Sequence, residues 1–228
     1  MDTTPNAGVV RATGQGWRSG ERAMVGRSER SVATERESLP ADGNLLLLAP
    51  SIGSAERRAC TNLLGRHSLD ITNALHVLYV ESPAERYETV EAHLPHHPAE
   101  TAVLTVGTGG LVEERGPAPT HTDYFVETVP DPADLTGLGM ALEDCLAAWH
   151  GDGYDVGVCF DSVSVLLQYA ETDRAYRFLH SLTDRLAAVG AAGHFHLDPA
   201  AHDERTVARL SSLFDNVVEV TGDHTVGP

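Results

Sequence analysis

Hydrophobic positions follow two alternating patterns along the chain between residues 44 and 220. Apolar runs of five to seven residues, bounded by Gly, Pro or Asp, are typical of buried strands. Between these runs, apolar residues recur every three or four positions, as on one face of a helix. The runs predict strands at residues 45–49, 75–80, 101–106, 124–129, 156–160, 191–197 and 216–220. Strands and helices that alternate in this way indicate an α/β fold.

The predicted helices carry recognisable start signals. Ser82 and Pro83 precede a helix that runs to about residue 93, because Ser caps a helix well and Pro suits its first turn. Asp131 is predicted to cap the next helix, with Pro132 at its first position. Further helices are expected after the first strand and at residues 172–189 and 203–214. The sequence therefore predicts three layers, a mostly parallel sheet with helices on both faces.

A change in composition divides the chain near residue 42. Residues 1–42 show neither period and hold six Arg against six acidic residues, whereas the remainder holds 10 Arg against 27 acidic residues. We expect a disordered tail at residues 1–42, a single α/β domain at 43–222 and a C-terminal tail at 223–228. The Gly- and Pro-rich stretch 108–123 is predicted to be a long loop.

The charge of the chain excludes several classes of function. The formal net charge is −17, and all 16 basic residues are Arg, so no lysine-dependent chemistry is available. Such acidity is typical of a haloarchaeal cytoplasm and argues against nucleic acid and anionic membranes as partners. No apolar run reaches transmembrane length, and Cys60, Cys145 and Cys159 have apolar neighbours. We expect a cytoplasmic protein with buried, reduced cysteines.

Two strand ends occupy the places of a nucleotide-phosphate site. The strand at 156–160 ends in an acid and a hydroxyl, and the strand at 45–49 turns directly into a helix. A working phosphate loop needs two glycines, a lysine and a hydroxyl in that turn. Here Ala49 and Ser54 replace the glycines, Ala55 replaces the lysine and Glu56 replaces the hydroxyl. The turn and the end of the strand at 156–160 are together predicted to be a remnant of such a site. Its residues would be Ser51, Gly53, Ser54, Glu56, Asp161 and Ser162.

The segments DPADLTGLGMAL, VCFDSVSVLLQY and AYRFLHSLTDRLAAVGAAGHFHLDPAAHDERTVARLSSLFDNVVEV carry a family resemblance. The chain resembles, over about residues 44–220, a haloarchaeal family of uncharacterised, degenerate RecA/KaiC-like proteins. The resemblance implies a RecA-type fold, Asp161 as the Walker B acid that positions Mg²⁺, and Glu81 as the catalytic glutamate after the second strand. The alternatives are structural: Asp161 would cap the helix that begins at Ser162, and Glu81 would be a strand-end acid beside a helix start.

A second group of polar residues lies near the carboxyl end of the chain. On a strand, His194, His196 and Asp198 share one face, and His202 follows after a proline turn. Zinc needs three or four such ligands converging on one point. The group predicts a zinc site, a buried polar network or a site for a partner or ligand, and the spacing alone does not choose between them.

These observations give three hypotheses of function. The first is a catalytically degenerate RecA/KaiC-like domain that acts as a regulatory or signalling protein-interaction module and needs no cofactor. The second is a weak nucleotide-binding switch or ATPase that binds Mg-ATP and uses Glu81 and Asp161. The third is a metal-dependent hydrolase that binds zinc at His194, His196, Asp198 and His202. A protein partner is expected for the first, and self-association remains open.

Overall fold

The structure of the protein, a computed structural model, describes residues 8–11, 43–51, 60, 63–64, 72–93, 98–107 and 123–220. The strands are β1 (Gly8–Arg11), β2 (Asn44–Leu48), β3 (Thr72–Leu78), β4 (Glu100–Val106), β5 (Asp123–Val129), β6 (Asp155–Asp161), β7 (Ala192–Leu197) and β8 (Asn216–Glu219). The helices are α1 (Pro83–His93), α2 (Leu135–Ala148), α3 (Val163–Tyr169), α4 (Thr172–Ala188) and α5 (Glu204–Ser211), with a 3₁₀ turn at Pro199–Ala201.

The strands form one sheet in the order β1-β8-β2-β7-β6-β3-β4-β5, and every pair of neighbours is parallel. The predicted parallel sheet is confirmed, and the bounds of most of its strands lie within one residue of those expected. Strand β3 is the exception, because it begins at Thr72. Its first residues are polar yet buried, and the Asn73 side chain donates to Asp152. An apolar run could not reveal them.

The first strand falls within the segment that was predicted to be a disordered tail. Residues Gly8–Arg11 pair with β8 at the edge of the sheet, which corrects the prediction for these four residues. A strand of four residues at an edge needs only a neighbour with free backbone groups, so composition gives little sign of it. The rest of residues 1–42, residues 108–122 of the predicted loop and residues 221–228 lie outside the described part of the chain.

The two faces of the sheet are covered by different helices. On one face, side chains of the central strands pack with α2 and α4 in the main core; they include Leu46, Leu75, Val77, Val158, Phe160, Phe195 and Leu197. On the other face lie the alternate positions Leu45, Leu47, His76, Cys159, His194 and His196. Residues 60, 63 and 64 are helical and pack against this second face. The predicted three-layer arrangement is thereby confirmed.

Two helix starts differ from those expected. The Asp134 carboxylate accepts from Gly137 N (2.9 Å) and caps α2, whereas Asp131 accepts from Ala133 N in the turn before it. The predicted cap at Asp131 was therefore wrong by three residues, because the Asp-Pro pair forms a turn of its own. No helix in the described part of the chain combines the length and the apolarity that crossing a bilayer requires.

The sheet places functional groups at the carboxyl ends of its central strands. Strands β2, β7, β6 and β3 are consecutive neighbours and parallel, so their carboxyl ends lie side by side. In open α/β sheets, ligands bind outside these ends where the strand order reverses. Here β2 and β3 follow one another in the chain but lie on either side of β7 and β6. Candidate functional residues are therefore expected at the carboxyl ends of these four strands.

Candidate functional site

The two candidate catalytic acids meet at an arginine. Asp161 is the last residue of β6, and Glu81 follows the end of the neighbouring strand β3. Arg86 Nη2 lies 2.7 Å from Asp161 Oδ2, and Arg86 Nε lies 2.7 Å from Glu81 Oε2. The Arg86 side chain is 3% exposed, against 8% for Glu81 and 19% for Asp161. The guanidinium thus occupies the space between both acids in a largely water-excluded setting.

The start of α1 fixes the position of this arginine. Ser82 Oγ accepts from Glu85 N (3.2 Å), and Glu85 Oε2 accepts from Ser82 N (2.9 Å), so the two residues form a capping box. Arg86 N donates to Ser82 O in the same turn (3.0 Å). Burial acts to lower the pKa of Arg86, but the negative charges around it, that of Cys60 first and those of Asp161 and Glu81 after it, raise that pKa well above its ordinary value. Arg86 therefore stays charged.

The predicted phosphate-site remnant is only partly within the described residues. Ser51 N donates to Asp198 Oδ2 (2.9 Å), so this backbone donor at the start of the turn already binds a carboxylate of the protein. Gly53, Ser54 and Glu56 lie outside the described residues. Ser162 Oγ accepts from Val165 N (3.1 Å) and is the cap of α3. The expectation that the Asp161 carboxylate caps this helix was wrong, because the hydroxyl of the next residue does so.

Two cysteines and two histidines form a compact cluster on the second face of the sheet. Cys159 pairs in register with His194 on the neighbouring strand, and His196 is two residues further along the same face. Cys60 belongs to the helical residues that pack on this face of the sheet. Its Sγ lies 3.1 Å from Cys159 Sγ and 3.1 Å from His194 Nε2, while Cys159 Sγ lies 3.7 Å from His196 Nε2. All four residues are buried, at 0–3% exposure.

The two thiols of this cluster differ in acidity. Burial raises the pKa of Cys60, but a hydrogen bond from Cys159 and the charge of Arg86 outweigh it and hold that pKa well below its ordinary value. Burial and the proximity of Cys60 raise the pKa of Cys159. Arg86 Nη1 donates to Cys60 Sγ at 3.1 Å. The same arginine therefore links the cluster to the pair of acids.

The predicted zinc ligands do not all come together. His194 and His196 lie on one face as expected, and their rings are 5.4 Å apart. Asp198 instead accepts from backbone N–H groups of Ser51 and Ala200, which outweigh the effect of burial and lower its pKa. His202 Nε2 lies 3.0 Å from Ser164 Oγ, and burial lowers its pKa. Among the described residues, the group with metal-ligand geometry is Cys60, Cys159, His194 and His196.

Sequence reasoning missed Cys60, Cys159 and Arg86 as members of these sites. Cys60 and Cys159 are 99 positions apart, without the short spacing by which zinc motifs are recognised. Arg86 follows the strand-end acid Glu81 by five positions, and an Arg in the first turn of a helix after a buried strand was the available signal. That signal gains meaning only when β3 and β6 are known to be neighbours.

His76 lies in the same row of the sheet, opposite Cys159 on β3. It is 1% exposed, and neither ring nitrogen has a hydrogen-bond partner among the described residues. Burial, followed by the charge of Arg86, lowers the pKa of His76 to about 3. The imidazole is therefore neutral in the folded protein.

We expect His76 to make the protein sensitive to acid. An unfolded histidine has a pKa near 6.5, so below that pH His76 binds a proton in the unfolded chain but stays unprotonated in the folded chain. This side chain should lower the free energy of unfolding by about 2 kcal/mol between pH 7 and pH 5, and the loss should continue towards pH 3. Urea unfolding at both pH values, in a chelating and reducing buffer, should show that His76→Leu removes this difference, whereas the exposed-site variant His150→Leu keeps it. An unchanged pH dependence in His76→Leu would contradict the prediction.

A groove of about 390 Å³ lies away from these groups, between β4, β5 and α2. Its lining includes Phe125, Trp149 and three acidic residues, Glu100, Glu127 and Asp144. Phe125 is 55% exposed on β5, which is the last strand of the sheet in the described order. Trp149 Nε1 donates to Glu100 Oε2 at 2.6 Å. The groove thus exposes apolar and acidic groups at the edge of the sheet, remote from the candidate catalytic acids.

Comparison with known proteins identifies the family and supports the fold. The chain belongs to the DUF7504 family, a family of unknown function whose model matches residues 43–220. None of the curated proteins compared matches the chain. The chain is similar in structure to the protein in "Structural study of Project ID PH0250 from Pyrococcus horikoshii OT3", with a TM-score of 0.51, 10% identity and coverage of 83% of this chain and 87% of that one. At that identity the likeness concerns the fold alone.

Proposed function

We propose that this member of the DUF7504 family is a catalytically degenerate RecA/KaiC-like domain, which acts in the cytoplasm as a regulatory or signalling protein-interaction module. The observation that carries the proposal is the position of Arg86 between Glu81 and Asp161. In a working ATPase of this class, these two acids would face Mg²⁺ and the attacking water. Here a permanent cation of the protein faces them instead.

The arginine opposes nucleotide hydrolysis by electrostatics. A Mg²⁺ ion at Asp161 would lie beside the guanidinium and be repelled by it, unless Arg86 moved away. Removing one partner from a buried ion pair costs about 3–5 kcal/mol, because the remaining charge is left without compensation. Binding of Mg-nucleotide would therefore have to supply that free energy before any catalysis began.

The first turn of the domain supports the same conclusion. Phosphate loops bind nucleotide through backbone N–H groups that are free to donate. Ser51 N is already bound to Asp198, and Pro50 supplies no N–H group at all. The chain also has no lysine to contact a terminal phosphate. These features favour the interaction module over the alternative, a nucleotide switch or ATPase that uses Glu81 and Asp161.

We expect calorimetric titration in molar KCl to detect no binding of MgATP or MgGTP tighter than about 100 µM, which corresponds to about −5.5 kcal/mol. The experiment should be repeated with Asp161→Asn, which leaves the size of the side chain nearly unchanged. Binding tighter than this limit in the wild-type protein, and lost in Asp161→Asn, would overturn the proposal in favour of the nucleotide switch.

The metal-dependent hydrolase is the weaker alternative because of burial. A catalytic zinc keeps a coordination position open to water and substrate, whereas a structural zinc is closed. The four residues with ligand geometry are buried beneath the helix that carries Cys60, and Asp198 and His202 are engaged elsewhere. A metal held by this cluster would have no open face for a substrate.

The groove beside β5 is the surface that we assign to a protein partner. It offers an exposed aromatic side chain, Phe125, next to the carboxylates of Glu127 and Asp144. A basic, extended segment with an apolar anchor would match both features, and β5, the last strand of the sheet among the described residues, offers backbone groups for pairing. Affinity capture with wild-type protein and with Phe125→Glu tests this assignment. A partner retained equally by both proteins would exclude the groove.

A further inference from the structure

The four residues of the Cys/His cluster come from three separate parts of the fold. Cys159 and His194 face each other on neighbouring strands, and His196 follows on the same face. Cys60 reaches them from a helical segment that follows β2 in the chain. One ligand atom from each residue lies within 4.8 Å of every other. Convergence of four such groups from distant positions is what a metal centre requires.

The distances are close to those of a tetrahedral site. With Zn–S near 2.3 Å and Zn–N near 2.0–2.1 Å, ligand atoms around zinc lie about 3.3–3.8 Å apart. Cys60 Sγ lies 3.1 Å from Cys159 Sγ and 3.1 Å from His194 Nε2, and Cys159 Sγ lies 3.7 Å from His196 Nε2. The other pairs of ligand atoms lie within 4.8 Å, so shifts of about an ångström would bring the four atoms to tetrahedral spacing.

We propose that Cys60, Cys159, His194 and His196 bind one Zn²⁺ ion as a closed, structural metal site in the second face of the sheet. Thiolate and imidazole together favour zinc over Mg²⁺ and Ca²⁺, which prefer oxygen ligands. All four ligands are buried, so no position is left for water or substrate. This site is separate from the acids of the proposed function, and the two proposals fail independently.

The charges in the core are compatible with this ion. Binding proceeds as Zn²⁺ plus two cysteines giving a zinc dithiolate, with one proton released to water for each cysteine that was protonated, so the two thiolates balance the charge of the ion. Arg86 Nη1 donates to Cys60 Sγ, which is how an outer-shell group stabilises a metal-bound thiolate. Glu81 and Asp161 in turn hold Arg86 in place. The metal centre therefore has an ordered outer shell.

The site has a structural consequence for the helical segment that contains Cys60. In a nucleotide-binding relative, the bound phosphates would hold the turn after the strand that corresponds to β2 against the sheet. Here the zinc would hold the helix that carries Cys60 against β6 and β7. Stability should therefore depend on free zinc, since a ligand that binds only the folded state raises the free energy of unfolding.

Metal analysis of the full-length protein tests the proposal. Protein refolded with ZnCl₂ in reducing, high-KCl buffer and then freed of unbound metal should hold about 1 Zn²⁺ per chain. Replacement by Co²⁺ should give the intense visible bands and the thiolate charge-transfer band of a tetrahedral Cys₂His₂ site. Wild-type protein with below about 0.1 Zn²⁺ per chain, or with Cys60 and Cys159 joined as a disulfide under these conditions, would overturn the proposal.

Matched variants locate the site. Cys159→Ser and His196→Gln should lower bound zinc by at least about tenfold, and Cys159→Ser should also weaken the thiolate-to-cobalt band. Cys145→Ser is the control, because Cys145 is a buried cysteine that packs in α2 on the other face of the sheet. It should retain full zinc content. Zinc that survives in Cys159→Ser would place the metal elsewhere and contradict the proposal. If a ligand variant does not fold, the wild-type zinc and cobalt measurements still decide.

Discussion

Replacing Arg86 by methionine should lower the free energy of unfolding by about 3–5 kcal/mol. Methionine fills much of the volume of the arginine stem but carries no charge. The variant would leave the carboxylates of Glu81 and Asp161 next to each other without a cation, and Cys60 Sγ without its donor. Buried like charges without compensation are among the largest single sources of destabilisation. Urea unfolding at pH 7 in KCl measures the effect.

An exposed ion pair provides the control. Arg185 pairs with Glu143 at the surface, where both side chains are more than two-fifths exposed. Solvent screens such pairs, so Arg185→Met should change stability by no more than about 1 kcal/mol. The triple variant Arg86→Met with Glu81→Gln and Asp161→Asn should recover part of the lost stability, since it removes the unpaired charges. A loss below about 1 kcal/mol in Arg86→Met would show that the two acids do not depend on it.

The fold could be predicted from the sequence because burial on both faces leaves a plain signal. Strands such as β6 and β7 are covered by helices on each side. Their sequences are therefore nearly continuous apolar runs that are bounded by Gly, Pro or Asp. The start of β3 escaped this reading because Thr72 and Asn73 are buried polar residues. Strand β1 escaped it because four edge residues carry no period.

The candidate sites were only half predictable, for a topological reason. Sequence reasoning finds groups at the end of one strand, such as Asp161, or on one face, such as His194 and His196. It cannot say which strands become neighbours. Arg86 acquires its role because β3 lies beside β6, and Cys60 because it contacts Cys159 on β6 and His194 on β7. The spacing therefore correctly placed His194 and His196 on one face of the sheet. The residues that lie beside them are Cys60 and Cys159, and Asp198 is not part of the cluster.

The two proposals meet at one side chain. Arg86 contacts Asp161 and Glu81 at the carboxyl ends of β6 and β3, and it contacts Cys60 within the core. On these proposals, the cation that would oppose Mg-nucleotide at the acids is the same one that would support a thiolate in the cluster. On the same two proposals, Glu81 and Asp161 have a structural role, because they hold Arg86 in place.

Replacing Phe160 by alanine should lower the free energy of unfolding by about 3–5 kcal/mol. Phe160 is fully buried on the face of β6 opposite to Cys159. Its ring stacks on Phe195 at a centroid distance of 5.6 Å and lies 5.9 Å from Tyr79 and 6.4 Å from Phe178. Alanine would remove these contacts and leave a cavity that the rigid parallel sheet cannot close. Urea unfolding measures the loss.

Phe125→Ala is the matched control for this prediction. It deletes the same atoms from a side chain that is 55% exposed at the edge of the sheet, so stability should change by no more than about 1 kcal/mol. Zinc content should distinguish the two faces of β6: Phe160→Ala should keep its metal while it is folded, because the ligands lie on the opposite face. A Phe160→Ala variant as stable as Phe125→Ala would show that the aromatic cluster is not part of the core, and the packing described for β6 would then be wrong.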